Sequence, residues 1–431
     1  MLNLTTSRPQ SARAHARHES GERRVVITGL GVICANGVTV ESFWDSLRRG
    51  VSGVKETTRY DVSKLPVRVS AEIRNFKIDE HLEAVKMNRL ELSVQYGLAA
   101  SAAAVRDSKL DVREIDPDRI GIVEGTTTSG VSNVLKVQEQ MLSKQKIHPY
   151  TAIGGYCGEG SSAIGIYLGI HGHALTYCSG CASGADAIGY AWRTVKDDDV
   201  DMMVAGGSDA RFEAQHFGFC RLGAMSALEG APGTQMRPFD KSRDGFILGE
   251  GSAYFVVEEL GHALSRGAKI YAEIVAHGRS AESYHPTDPH PDGLGYINAM
   301  RRALRRAGLH GPEVDYINAH GSATPLNDPL ETKAIKAVFG AHAARVGISA
   351  TKPVTGHTMG AAGAIESAIC ALAIHKQEMP PTINLQTPAV GCDLDYLAQG
   401  ARPYPIDVAL NLNAGFGGRY ACLILRRYPG T

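Results

Sequence analysis

Ala174-Leu175-Thr176-Tyr177-Cys178-Ser179-Gly180-Cys181-Ala182-Ser183-Gly184 runs from a short apolar stretch, through a tight turn, into a segment of small residues that continues to Lys196. The first four residues read as a buried strand, and Ala182 to Lys196 as a helix with a small-residue face. Outward from this unit the same alternation recurs. Strands are expected at Arg119 to Val123, Met202 to Gly206, Ala253 to Glu258, Val314 to Asn318 and Ala421 to Leu425, and helices at Glu91 to Val105, Tyr296 to Ala307, Leu330 to Phe339 and Ala361 to His375. The opening strand is Arg24-Val25-Val26-Ile27-Thr28-Gly29-Leu30-Gly31. Strands without polar alternation, interleaved with helices, predict an α/β fold whose sheets are covered on both faces.

The chain of 431 residues is long enough for two or three domains, or for one duplicated core. Residues 24–260 and 261–431 are the expected halves, because each runs strand, helix, strand and closes on an apolar strand. Residues 1–23 have no apolar core and mix Ser, Arg and His, so a disordered tail is expected there rather than a secretory signal. Lys plus Arg and Asp plus Glu both number 45, which leaves no basic excess for nucleic acid or anionic lipid. The charge-free run from Gly160 to Ala185 holds two histidines and six glycines, so no membrane span is read there. Eight scattered cysteines do not make a disulfide framework and suit the reducing cytoplasm.

Three segments carry chemistry. Cys181 stands where a strand gives way to a helix, and unpaired N–H groups with the positive helix end would lower its pKa and hold a developing oxyanion. The alternatives for Cys178-x-x-Cys181 are a redox pair, half of a zinc site or plain buried cysteine; no second such pair exists to complete a zinc set. His320 ends the strand Val314 to Asn318 and precedes Gly321-Ser322-Ala323-Thr324-Pro325. Glu331 then follows near a helix start, where a carboxylate is favourable. His357 lies in Thr351-Lys352-Pro353-Val354-Thr355-Gly356-His357, a glycine-bounded loop before a small-residue helix. Taken singly, each histidine is also readable as structural. Ser280 to Gly293, with three prolines, reads as a long surface loop of the kind that borders sites.

Together these segments resemble the decarboxylating condensing enzymes, the β-ketoacyl-acyl carrier protein synthases, over about residues 24 to 427. The motifs are the turn Gly180 to Gly184, Arg237-Pro238-Phe239-Asp240 through Gly249-Glu250-Gly251, Asn318-Ala319-His320-Gly321, Lys352 to His357, and Gly415-Phe416-Gly417-Gly418. The resemblance implies a thiolase-like five-layered αβαβα sandwich of two duplicated halves, and a dimer. It implies that Cys181 carries the acyl chain, with its own N–H and that of Phe416 holding the oxyanion. His320 and His357 would stabilise the enolate left when malonyl loses carbon dioxide. Lys352 would pair with Glu331 and organise the histidines, Phe416 would gate the cysteine, Ser322 and Thr324 would hold the pantetheine arm, and Phe219 would line the acyl pocket.

No organic cofactor or metal is implied, since phosphopantetheine arrives on the acyl carrier protein. The dimer partner would be a second copy or a chain-length-factor-like subunit. Family members often read Thr-Ser-Thr after the His-Gly, where this chain has Ser322-Ala323-Thr324, and carry a further aromatic beside the gate, where it has Leu412-Asn413-Ala414-Gly415. The pathway the resemblance implies is fatty-acid or type II polyketide or polyene assembly. The rivals are a coenzyme A thiolase, which would need a second active-site cysteine in a C-x-G motif near the C-terminus, and a non-catalytic partner subunit, which would lack Cys181.

Overall fold

In a computed structural model, which describes residues 22–82 and 90–430, ten strands make up the main sheet. They are β1 (Val25–Cys34), β2 (Ile120–Gly125), β3 (Ala174–Tyr177), β4 (Met202–Asp209), β5 (Gly251–Glu259), β6 (Ala272–Ala281), β7 (Tyr316–Asn318), β8 (Gly347–Ser349), β9 (Val408–Gly415) and β10 (Arg419–Arg426). Their spatial order is β8-β7-β9-β10-β6-β1-β5-β4-β2-β3. Counted outward from β1 and from β6, both halves follow one pattern: first, fifth, fourth, second, third. The second strand of each half pairs in parallel with the third and fourth, and the remaining neighbours are antiparallel. A short antiparallel seam between β1 and β6, Val25 opposite Ile274 to Ile27 opposite Ala272, joins the halves.

The longest helices of the other layers, among the described residues, are α1 (Leu92–Asp107), α2 (Ser183–Lys196), α3 (Leu294–Ala307), α4 (Asn327–Phe339) and α5 (Ala362–Lys376). On one outer face α1 packs on β1, β4 and β5; on the other α3 packs on β6 and β10, with α4 against it. Between the halves α2 and α5 lie against each other and against strands of both. Residues Ala362 to Ile374 are all buried, and a helix apolar on every side belongs in a middle layer. Small residues make this layer thin: a Cβ on Gly184 would fall 2.5 Å from the Ala364 nitrogen, and one on Gly363 2.5 Å from the Ala185 nitrogen. Three buried clusters, one on each side of the two sheet halves and one between them, form the core.

The expected strands and helices are present, with ends displaced by up to three residues. Strands β6, β8 and β9, and helices at Val40–Arg48, Val131–Leu142, Glu159–Leu168 and Glu213–Leu222, were not expected. The tail expected over residues 1–23 lies outside the described residues except for Glu22 and Arg23. Arg23 is held in place, donating to Asp198 and Asp201 at 2.7 Å each. No helix among the described residues is long and apolar enough to cross a membrane.

Candidate active site

The turn after β3 is built by its own side chains. Gly180 takes a positive φ of 67°, open to glycine. The Ser183 hydroxyl accepts from the Ser179 N–H at 2.9 Å and donates to the Gly180 carbonyl at 2.6 Å. These bonds set Cys181 immediately before α2, buried. The end of β9 lies against the same turn, so close that a Cβ on Gly415 would sit 2.9 Å from the Ser179 carbonyl oxygen and 3.0 Å from the Cys181 nitrogen. The backbones of Cys181 and Gly415-Phe416 are thereby neighbours. The lowered thiol pKa expected from the helix end is not found. Burial pushes the Cys181 thiol up to about 12, opposed by the Lys352 ammonium, because desolvation of the thiolate outweighs one cation and a helix terminus.

His320 is fixed from behind by Glu331, whose two carboxylate oxygens accept from the backbone N–H groups of His320 and Gly321 at 2.7 and 2.9 Å. Lys352 does not pair with Glu331 as expected. Its buried ammonium pairs with Glu366 on α5 and donates to the His320 carbonyl at 2.5 Å, with the His320 Nδ1 at 3.4 Å. The reason is reach. Glu331 is consumed by two backbone donors, and Glu366 is the carboxylate that α5 turns toward the ammonium, where Asn413 also donates to it at 2.5 Å. Burial raises the pKa of Glu331, to about 7, and that of Glu366, the latter against Lys352.

His357 is carried between two short backbone bonds, from its N–H to the Ile247 carbonyl at 2.7 Å and from the Gly249 N–H to its own carbonyl at 2.9 Å. Its Nδ1 accepts from the Met359 N–H at 3.4 Å. The His320 and His357 rings lie 5.5 Å apart and nearly perpendicular. Burial first, then Lys352, holds both imidazoles well below their ordinary pKa, with His357 adding to the effect at His320. Each is therefore neutral. With both Nδ1 atoms facing donors, the proton of each ring is assigned to Nε2, leaving two neutral N–H donors.

These groups meet on one cavity of about 320 Å³, whose wall includes Cys181, His320, His357, Ser322, Thr324 and Phe416. Ser322 and Thr324 place their hydroxyl oxygens 3.1 Å apart. Lys352 and Glu331 lie behind the wall. Phe219 stands one layer back, its ring stacked 6.1 Å from Phe416 and edge-on 5.4 Å from Phe246, which in turn meets His357 edge-on at 5.1 Å. Phe416 is 39% exposed at the mouth. The loop after β6 also borders the cavity, through Thr287, Asp288 and Pro289.

Two positioning carboxylates were missed. Glu366 is the lone acid inside an otherwise apolar helix, which is a signal that it has a buried partner. Asp209, at the end of β4, accepts from the Thr126 hydroxyl at 2.6 Å and from the Gly360 N–H at 2.7 Å, tying the loop of His357 to the first half. Nothing in its sequence surroundings marks it.

Family models for the N-terminal and C-terminal domains of beta-ketoacyl synthase match residues 22–263 and 271–386. The chain is 41% identical over 409 residues to a 3-oxoacyl-[acyl-carrier-protein] synthase 2 of Coxiella burnetii (strain RSA 493 / Nine Mile phase I), across 94% of this chain and 99% of that protein. To the protein of the same name from Synechocystis sp. (strain ATCC 27184 / PCC 6803 / Kazusa) it is 38% identical over 410 residues, with 94% and 99% covered. Among solved structures it resembles a chain of the ishigamide ketosynthase/chain length factor, with a TM-score of 0.88 at 33% identity over 94% of this chain and 100% of that one. A chain of AntDE:AntF, a type II PKS acyl-carrier protein in complex with its ketosynthase, gives 0.85 at 32% over the same shares. With its two-half sandwich, its cysteine turn and its paired buried histidines, this chain belongs to the beta-ketoacyl synthase family and has the thiolase-like fold.

Proposed function

We propose that this chain is a 3-oxoacyl-[acyl-carrier-protein] synthase, an acyltransferase that extends a Cys181-bound acyl chain by two carbons through decarboxylative Claisen condensation. The observation that carries this reading is the common cavity wall of Cys181, His320 and His357, with both imidazoles neutral. In the first step the Cys181 sulfur forms a bond to the acyl carbon, the bond to the carrier's pantetheine sulfur breaks, and the thiol proton ends on that sulfur. A buried thiol with its pKa pushed up to about 12 ionises only as the acyl carbonyl arrives, where the Cys181 and Phe416 N–H groups take up the developing charge.

In the second step the carboxylate–carbon bond of malonyl-carrier breaks, carbon dioxide leaves, and the electron pair moves into an enolate. His320 and His357 donate from Nε2 to its oxygen, both kept neutral first by burial and then by Lys352, which also donates to the His320 carbonyl. The enolate carbon then bonds to the acyl carbon, and the Cys181 sulfur leaves as a thiolate that takes up one proton from solvent. Ser322 and Thr324 line the path of the pantetheine arm. Phe416 moves to admit malonyl, Gly417 and Gly418 beside it having positive φ of 81° and 70° and so no Cβ to hinder the swing. Phe219 supports the acyl wall from behind. Phosphopantetheine comes with the carrier, so the sequence of bonds calls on no further organic cofactor or metal.

The partners proposed are an acyl carrier protein and a second subunit, either another copy or a chain-length-factor-like chain, in fatty-acid or type II polyketide or polyene synthesis in the cytoplasm. Eight free cysteines suit that compartment. Cys181 argues against a non-catalytic partner subunit, and the two histidines without a C-terminal C-x-G motif argue against a thiolase. The test is to supply acyl-carrier and malonyl-carrier thioesters together and follow release of carbon dioxide and a product longer by two carbons. A product formed from two acyl-coenzyme A molecules without carbon dioxide would overturn the reading.

A further inference from the structure

Ser179, two residues before the nucleophile, donates from its hydroxyl to one oxygen of Asp186 at 2.5 Å. Asp186 lies in the first turn of α2, and its other oxygen is 3.1 Å from the Nε2 of His277. Both side chains are buried, and neither of those two atoms has a hydrogen-bond partner among the described residues. Left apart, two such atoms would each carry a desolvation cost, so they belong to one another. His277 comes from the other half, on β6, and reaches α2 only because residue 189 is glycine: a Cβ there would fall 2.0 Å from the His277 Nδ1. On its sheet, His277 stands opposite Leu423 of β10, which pairs with β9 as far as Gly415. A continuous path thus joins the cysteine turn to the turn of Phe416.

We propose that Asp186 and His277 are positioning residues for the nucleophile: the carboxylate, held by His277, anchors the Ser179 hydroxyl and so keeps the backbone of Ser179–Cys181 in register with Gly415-Phe416. The other side-chain anchor of Ser179, to Ser183, is local to the turn. The Asp186 contact reaches the second half through His277, beside a weaker tie from the Arg419 guanidinium to the Cys178 carbonyl at 3.2 Å. The two N–H groups that receive the oxyanion sit on opposite sides of this joint, and small displacements at such a site are costly to rate. The inference rests on the reading of Cys181 as the acyl acceptor.

The test measures the rate of Cys181 acylation from acetyl-, butyryl- and octanoyl-carrier thioesters in Ser179→Ala, Asp186→Ala, the double variant and Asp186→Asn. Each alanine variant is expected to load roughly tenfold more slowly or worse. The double variant is expected to match the slower single one within about twofold, because both break one link. Asp186→Asn, which still offers an oxygen to Ser179, should recover most of the rate. Malonyl decarboxylation, followed in Cys181→Ala with and without Ser179→Ala, should agree within about twofold, since it reads the histidines and not the turn. Wild-type loading in the single variants, losses that multiply in the double variant, or decarboxylation falling in step with loading would overturn the proposal. Should Asp186→Ala fail to fold, Ser179→Ala still separates loading from decarboxylation. A wild-type chain that never loads Cys181 overturns the nucleophile assignment itself and shows it before any variant is made.

Discussion

Lys352 reaches the back of the cavity fully buried, and its charge acts on three groups whose state is set first by burial. Its ammonium opposes the rise of the Cys181 pKa, depresses both histidines, and pairs with Glu366. Removing it leaves the buried Glu366 carboxylate without its cation, with the Asn413 amide as its remaining donor. Lys352→Ala is expected to cost about 3–5 kcal/mol in urea unfolding, and Lys352→Ala combined with Glu366→Ala less than that; malonyl decarboxylation should fall in both. The residues on the cavity wall were legible because each sits in a short motif with glycines or small neighbours beside it. Their supports were not. The resemblance implied Glu331 as the partner of Lys352, whereas the observed partner, Glu366, comes from a helix placed by tertiary packing. The thiol pKa was misjudged for a related reason: the helix end is visible in sequence, but the burial that outweighs it is not.

At the scale of elements, long apolar strands and the small-residue helices α2 and α5 were readable, because burial on both faces leaves composition no alternative. Short strands such as β8, three residues long, carry too little pattern to be seen. Strand β2 also holds a buried acid with a measurable consequence. The carboxylate of Glu124 accepts from Ser208 on β4 at 2.5 Å, and the helix Glu159–Leu168 passes so near that a Cβ on Gly160 would strike it. Burial raises the Glu124 pKa to about 7. Since that lies above the unfolded value near 4.3, the neutral acid favours the fold. Its contribution is complete at low pH and is lost as pH rises from about 4.3 through about 7. Glu124→Gln should therefore be more stable than the parent at pH 8, by up to about 3 kcal/mol, and lose that advantage at pH 4. Paired chemical denaturation curves at the two pH values would show it; an advantage that does not change with pH would contradict it.

At the scale of the whole molecule, the repeated strand order makes the cavity a joint between halves, with Cys181 from one and both histidines from the other. The duplication was legible as a rhythm of elements, while the seam between β1 and β6 was not, because three paired residues leave no mark on sequence. Among the described residues, strand β3 ends the sheet with one edge unpaired. Near it in sequence lie exposed apolar side chains, with Leu142 79%, Tyr150 70%, Ile166 81% and Leu175 41% exposed. Edges and apolar surface of this kind are ordinarily covered. Sedimentation should accordingly give a species of two chains, and Ile166→Asp with Leu175→Arg should shift it toward one; a monomeric parent would contradict the assembly.

The most direct test of Cys181 as the acyl acceptor is intact-protein mass spectrometry after incubation with acyl-carrier thioesters, alone and with a candidate partner subunit, followed by peptide mapping. An acyl mass gain is expected on Cys181, abolished in Cys181→Ala and retained in Cys178→Ala. Acylation that maps to Cys178, or no acylation under either condition, would contradict it.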